Sequence, residues 1–94
     1  MRIVREALAG TLESNDALVR VAPSDTLAID VKSTVLAQYG AQIHEVVQET
    51  LERLKVTEGL VSVDDKGALD FTIKARVQGA VLRASDEPVD WSTL

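Results

Sequence analysis

The sequence predicts an α+β domain, with two helices packed on one face of a mainly antiparallel sheet in the order β-β-β-α-β-β-α. Two observations about periodicity carry this expectation. Apolar residues alternate with a period of two before Ser33 and again after Gly59, whereas between and beyond these stretches they recur at spacings of three and four. Composition supplies a third: 46% hydrophobic and 27% charged residues describe an ordinary globular chain, and with only 3% aromatics its core is built from Val, Leu, Ile and Ala. A chain of 94 residues is expected to form one domain, residues 1–94, that buries a single core but has no walls for a deep substrate pocket of its own.

The elements follow in order. Residues from about Gly10 to Glu13 and from about Ala17 to Ala22 read as paired strands around a Ser14-Asn15-Asp16 turn, because Asn and Asp tolerate turn geometry and bond locally to the backbone. Pro23-Ser24-Asp25 breaks the second strand. From Leu27 the alternation resumes, with Leu27, Ile29 and Val31 on one face of a half-buried third strand. Ser33 or Thr34 can cap the helix that follows, whose apolar stripe includes Tyr39, Ile43, Val46, Val47, Leu51 and Leu54. Gly40 costs about 1 kcal/mol of helix propensity relative to Ala, so regular helix is expected only from Ala41 to Leu54.

Gly59 opens a second expected hairpin. Its strands are Leu60 to Val63 and Ala68 to Ile73, joined through Asp64-Asp65-Lys66-Gly67, where acidic residues closing on a glycine fit a type I turn ending in a left-handed residue. After Ile73 the period changes, and Val77, Ala80, Val81 and Ala84 mark a short second helix. Residues 85–94 read as an irregular tail, with Trp91 the side chain able to pin it down.

Several kinds of chemistry are excluded or disfavoured. The chain has no cysteine, which removes disulfides, thiolate catalysis and Cys-based metal sites and fits a reducing compartment. A net charge of −5 works against nucleic-acid binding, which demands a basic face. No secretory pattern and no membrane-spanning stretch is visible, so the cytoplasm is the expected location. Phosphate-cradling glycine motifs are missing as well. His44 is the single histidine, and a triad with Ser14 would require a base on the main helix to reach a hairpin tip. Asp64, Asp65 and Asp70 are explained by turn chemistry, since the oxygen count and spacing of a calcium loop are missing; no metal site is expected. Arg76 and Arg83, seven residues apart on the second helix, read as a solvated face, with a partner's acidic group or a prosthetic group's phosphate as the alternative.

Ser14 is the residue of interest. At a turn tip its hydroxyl is easily reached by another enzyme, yet it is a poor nucleophile, because its sequence neighbours are acids and amides and none could take its proton. It reads either as an ordinary turn serine or as a place where something is attached.

The second reading gains from a resemblance over about residue 3 to Trp91. The run Ala9-Gly10-Thr11-Leu12-Glu13-Ser14 with Asp16, the run Asp64-Asp65-Lys66-Gly67-Ala68-Leu69-Asp70, then Ala75-Arg76-Val77 and Arg83-Ala84-Ser85, together resemble the citrate lyase acyl carrier protein, or γ subunit, family. The resemblance implies a non-catalytic carrier. In it Ser14 is a phosphoprotein-type attachment point for phosphoribosyl-dephospho-CoA, joined through a phosphodiester by a dedicated prosthetic-group transferase. It further implies that the arm's thiol carries acetyl and citryl thioesters between an alpha (acyltransferase) and a beta (citryl lyase) subunit as citrate is cleaved to acetate and oxaloacetate. Asn15 and Asp16 would support the turn, with Asp16 orienting the Ser14 hydroxyl or meeting the modifying enzyme. Family members usually have Gly where this chain has Asn15, and often Cys where it has Phe71; the latter implies a core position facing the sheet. The alternatives are a carrier of the malonate decarboxylase type, an unmodified structural interaction domain and, third, a stand-alone hydrolase.

Overall fold

The computed structural model describes residues 1–34, 36–89 and 92. The elements are β1 (Ala7–Gly10), β2 (Ala17–Ala22), β3 (Leu27–Ser33), α1 (Leu36–Arg53), β4 (Gly59–Asp65) and α2 (Asp70–Ala84). The α+β class holds, and the sheet is mainly antiparallel. Its strand order is β1-β2-β4-β3, with β1 and β4 antiparallel to β2 and β3 parallel to β4. The parallel pair exists because α1 carries the chain back from the end of β3 to the start of β4.

Alternation places one side chain in two under the helices. Ala17, Val19 and Val21 of β2 and Val61, Val63 and Asp65 of β4 are buried, while their neighbours Arg20, Leu60 and Ser62 are exposed. The helices answer with the same spacing twice: Ile43, Val47, Thr50, Leu51 and Leu54 are buried in and just after α1, and Ile73, Val77, Ala80, Val81 and Ala84 in α2. That 4-3-1-3 spacing is a single stripe on a 3.6-residue helix. Gly79 lets α2 lie close to β1, since a Cβ there would meet that of Ala9 at 3.3 Å.

The bounds of two elements are corrected. The first strand is Ala7–Gly10 rather than Gly10 to Glu13, because Gly10 has φ 99° and leaves the extended region there. The connection to β2 is therefore residues 11–16, with Ser14 inside it. Regular helix begins at Leu36 and runs through Gly40 without a break; Ser33 ends β3 and gives its hydroxyl to Asp65 at 2.7 Å.

The largest correction concerns the fifth strand, Ala68 to Ile73, which does not exist. The carboxylate of Asp65 accepts the N–H groups of Gly67 (3.1 Å) and Ala68 (2.9 Å), turning the chain out of the sheet, and α2 starts at Asp70. Leu69, Phe71 and Ile73 alternate like a strand, but only Ile73 is buried, and it belongs to the helical stripe. The order is thus β-β-β-α-β-α. Phe71 is 70% exposed on the first turn of α2, so it is not a core residue facing the sheet.

Residues 85–89 form no helix or strand, as expected of the tail, but are tied down. Ser85 is buried, its Oγ accepts the Glu87 N–H, and Arg5 pairs with Asp86. Trp91 and its suggested anchoring role lie outside the described residues.

Candidate functional site

Ser14 sits on a β-turn closed by the Asp16 N–H donating to the Glu13 carbonyl at 3.2 Å. Asn15 has φ 66°, the left-handed conformation that the third residue of a type II turn requires. Asn tolerates it better than most residues other than Gly. Ser14 therefore occupies the outer corner, exposed, and its hydroxyl has no hydrogen-bond partner among the described residues.

This turn does not hang free. The Asn15 N–H donates to the Lys66 carbonyl at 2.8 Å and the Lys66 N–H to the Asp16 carbonyl at 2.9 Å, so the β2–β4 pairing continues past its last registered pair, Ala17 with Asp65. The two sequence motifs that lie some fifty residues apart are consequently neighbours in space. Behind Lys66, buried Asp65 shapes the backbone through its bonds to Ser33, Gly67 and Ala68.

Asp16 fastens the other side. Its Oδ1 accepts Arg76 Nε at 2.9 Å and the Ala17 N–H at 2.7 Å; its Oδ2 accepts Arg76 Nη2 at 2.9 Å and Thr11 Oγ1 at 2.7 Å. The Arg76 guanidinium first, then the Thr11 hydroxyl and the Ala17 N–H, hold this carboxyl well below the usual carboxylate range. Arg76 is in turn held above its ordinary value by Asp16. These four bonds occupy Asp16 with the scaffold, and none comes from Ser14. Its geometry is that of a clamp on the turn, not of a group orienting the Ser14 hydroxyl.

Gly10 makes the clamp possible. A Cβ at Gly10 would lie 1.8 Å from the Ala17 carbonyl oxygen and 3.1 Å from Cδ of Arg76. The arginine thus passes over a backbone that only glycine leaves clear.

The remaining candidates are dispersed. His44 is exposed on α1. Asp64 pairs with Lys66, Asp65 turns inward and Asp70 accepts Gln42 Nε2, so the three carboxylates point to different partners. Arg76 and Arg83 share a side of α2: Arg83 is exposed, as expected of a solvated face, yet its Nη1 donates to the Leu8 carbonyl at 2.7 Å, and Arg76 is bound to Asp16, so both clasp the first hairpin. Thr11 and Lys66 are the neighbours of the turn that periodicity missed, whereas Arg76 was singled out but not as the partner of Asp16. Thr11 lies in the run 9–16 and Lys66 in the run 64–70, and that shared membership was the available signal.

Among the described residues no helix is long and apolar enough to cross a membrane. A family model described as "Malonate decarboxylase delta subunit (MdcD)" matches residues 4–84. The chain is 57% identical over 96 residues to the citrate lyase acyl carrier protein of Enterobacter sp. (strain 638), covering 100% of this chain and 99% of that one. It is 53% identical over 87 residues to the protein of the same name from Treponema denticola, covering 93% and 100%. Among solved structures, a chain of a Pseudomonas malonate decarboxylase hetero-tetramer in complex with malonate superposes with a TM-score of 0.71 over 88% of this chain and 87% of that one, at 22% identity, a likeness of fold. On the family model and on relatives this similar over their full length, the chain belongs to the acyl carrier family that the model describes, among the citrate lyase acyl carrier proteins.

Proposed function

We propose that this acyl carrier serves a citrate lyase and that Ser14 is the anchor of its covalently bound phosphoribosyl-dephospho-CoA. The observation that carries the proposal is the setting of Ser14, an exposed hydroxyl at the outer corner of a turn that is fastened on both flanks. The residues present fit the group. The hydroxyl is unengaged among the described residues, and its sequence neighbours include no base to activate it, which suits an acceptor modified by a separate transferase. When bound, the group supplies a thiol at the end of a long arm, on which acyl groups are carried as thioesters.

The chain's own contribution is positional. Ser14 Oγ sets where the arm begins, and Asn15, Asp16, Thr11 and Arg76 keep that point from wandering. A fixed origin raises the effective concentration of the carried group at each partner's site, since tethering replaces diffusive encounter. The partners in this reading are the alpha and beta subunits of the lyase and the transferase, and the setting is the cytoplasm.

A second reading, a carrier for a malonate decarboxylase, is favoured by the description of the family model and by the shared fold. The relatives at 53–57% identity favour the lyase over it. Intact mass after co-expression with the citrate lyase modifying enzymes tests the proposal. An adduct of the mass of phosphoribosyl-dephospho-CoA, lost in Ser14→Ala, is expected. An unmodified chain supports a plain interaction domain instead. Addition of the loaded carrier to lyase or to decarboxylase subunits then separates the two carriers by which reaction it restores.

A further inference from the structure

A groove of about 490 Å3 lies between the N-terminal half of α1 and the segment linking β4 to α2. Tyr39, Ile43, Ala68, Leu69 and Phe71 give it apolar walls, Gly67 lies among them, and Gln42, Asp65 and Asp70 are its polar groups. That volume falls in the range of small-ligand sites, roughly 300–1,000 Å3. A second groove of about 310 Å3 shares Asp70 and Phe71 with it and continues between the helices toward Lys74. The two grooves thus adjoin at Asp70 and Phe71 along the cleft between α1 and α2, which offers an extended chain a run of contacts.

Its position is the informative part. Gly67 walls the groove and also adjoins the serine turn: a Cβ at Gly67 would stand 3.8 Å from Oδ1 of Asn15. Lys66, next to it, is hydrogen-bonded to the residues immediately after Ser14. The groove thus opens beside the point where the arm starts.

Its chemistry is amphipathic. Leu69, Phe71 and Tyr39 stand at its lip, 63%, 70% and 50% exposed, which is apolar surface that the fold itself leaves uncovered. Gln42 gives its Nε2 to both oxygens of Asp70 at 3.0 and 3.2 Å, an arrangement that orients the amide and turns its Oε1 away as an acceptor. The thiol end of such an arm, one dimethyl-bearing carbon and two amides separated by methylenes, is uncharged and matches apolar walls with a few acceptors, while the phosphates nearer Ser14 would stay in water, away from Asp65 and Asp70.

We infer that this groove is the resting place of the carrier's own prosthetic arm, which folds back from Ser14 across Gly67 and lies against Leu69 and Phe71 between deliveries. The inference rests on Ser14 being the anchor. It gives the exposed aromatic residues a purpose, that of shielding the thiol from solution until a partner draws the arm out.

The test uses full-length apo- and holo-protein, the latter confirmed by intact mass, and compares backbone amide shifts with the alkylation rate of the arm's thiol. Shifts at Ala68, Leu69 and Phe71 and at the Gln42 side chain are expected. The thiol should react at least about threefold more slowly than that of free coenzyme A, as a groove occupied two-thirds of the time would give. Phe71→Asp, at an exposed position, should return the rate toward that of the free coenzyme while leaving the adduct intact. Shifts confined to residues 13–16 and Lys66, with an unprotected thiol, overturn the groove but not the anchor. Absence of the adduct overturns both. Groove shifts that grow with the concentration of apo-protein identify a second copy as the occupant and overturn the inference as well.

Discussion

Arg76 of α2 grips Asp16 of the first hairpin loop with two nitrogens at 2.9 Å across sixty residues of sequence. The pair joins a helix to the flank of the turn that displays Ser14. A bidentate guanidinium–carboxylate contact fixes orientation as well as distance, which a lysine could not do.

Asp16→Asn should therefore lower stability at neutral pH. The sign follows from the bonds: a folded-state carboxyl held below its ordinary value of 3.8 contributes stability that is fully present above that value and is lost as pH falls toward the folded value. The difference in denaturant midpoint between wild type and Asp16→Asn should be largest at pH 7 and shrink by pH 3. Combined with Arg76→Gln, the two losses should be less than additive, because each single substitution already breaks the pair. A difference that does not change with pH would show that the carboxylate's charge contributes nothing.

Asn15 tests the turn itself. Asn15→Gly should keep stability within about 0.5 kcal/mol of wild type, because the φ of 66° suits glycine while the extra freedom costs entropy in the unfolded chain. Asn15→Val should cost about 1–2 kcal/mol, since a β-branched residue is strained in the left-handed region. Equal denaturation midpoints for the two variants would contradict the turn geometry.

Gly10→Ala should be far more damaging. The added methyl would meet the Ala17 carbonyl oxygen at 1.8 Å, at a φ of 99° that alanine resists, and would crowd the Arg76 side chain. A loss of at least about 2 kcal/mol is expected from strain alone. Urea titration would measure it, and the turn amides should exchange with solvent faster than in wild type.

Asp65→Ala should loosen the site from behind. It strands the Gly67 and Ala68 N–H groups in a partly buried loop, a cost of about 3 kcal/mol. Asp65→Asn, which retains one acceptor oxygen, should recover part of that in the same unfolding assay.

Much of this arrangement is legible in the residues. Alternation in Ala17-Leu18-Val19-Arg20-Val21-Ala22 set β2 correctly to its ends, because a strand with one buried face leaves a period-two record. Leu27, Ile29 and Val31 marked where β3 starts, but its last residue is Ser33, and Leu27 is exposed while Ile29 and Val31 are half-buried. The reading failed from Ala68 to Ile73, where three apolar residues at even spacing imitate a strand. Periodicity over so short a run cannot separate a half-buried strand from a helix start.

At the site the division is similar. The turn at Ser14 and the left-handed residue Asn15 that it needs are local properties, decided by turn chemistry within a few residues, and so the sequence alone determined them, although the bond from Asn15 to Lys66 came only with the fold. The role of Asp16 was not local. Its carboxylate could have turned to Ser14, to solvent or to α2, and only the docking of α2 over Gly10 chose among them by bringing Arg76 within hydrogen-bond reach. The place of Phe71 was likewise settled by packing, since once Ile73, Val77 and Val81 face the sheet, the geometry of the helix leaves Phe71 in water beside the groove. Short-range conformational preference is written in neighbouring residues, whereas the partner of a charge and the covered face of a helix depend on what the rest of the chain brings alongside.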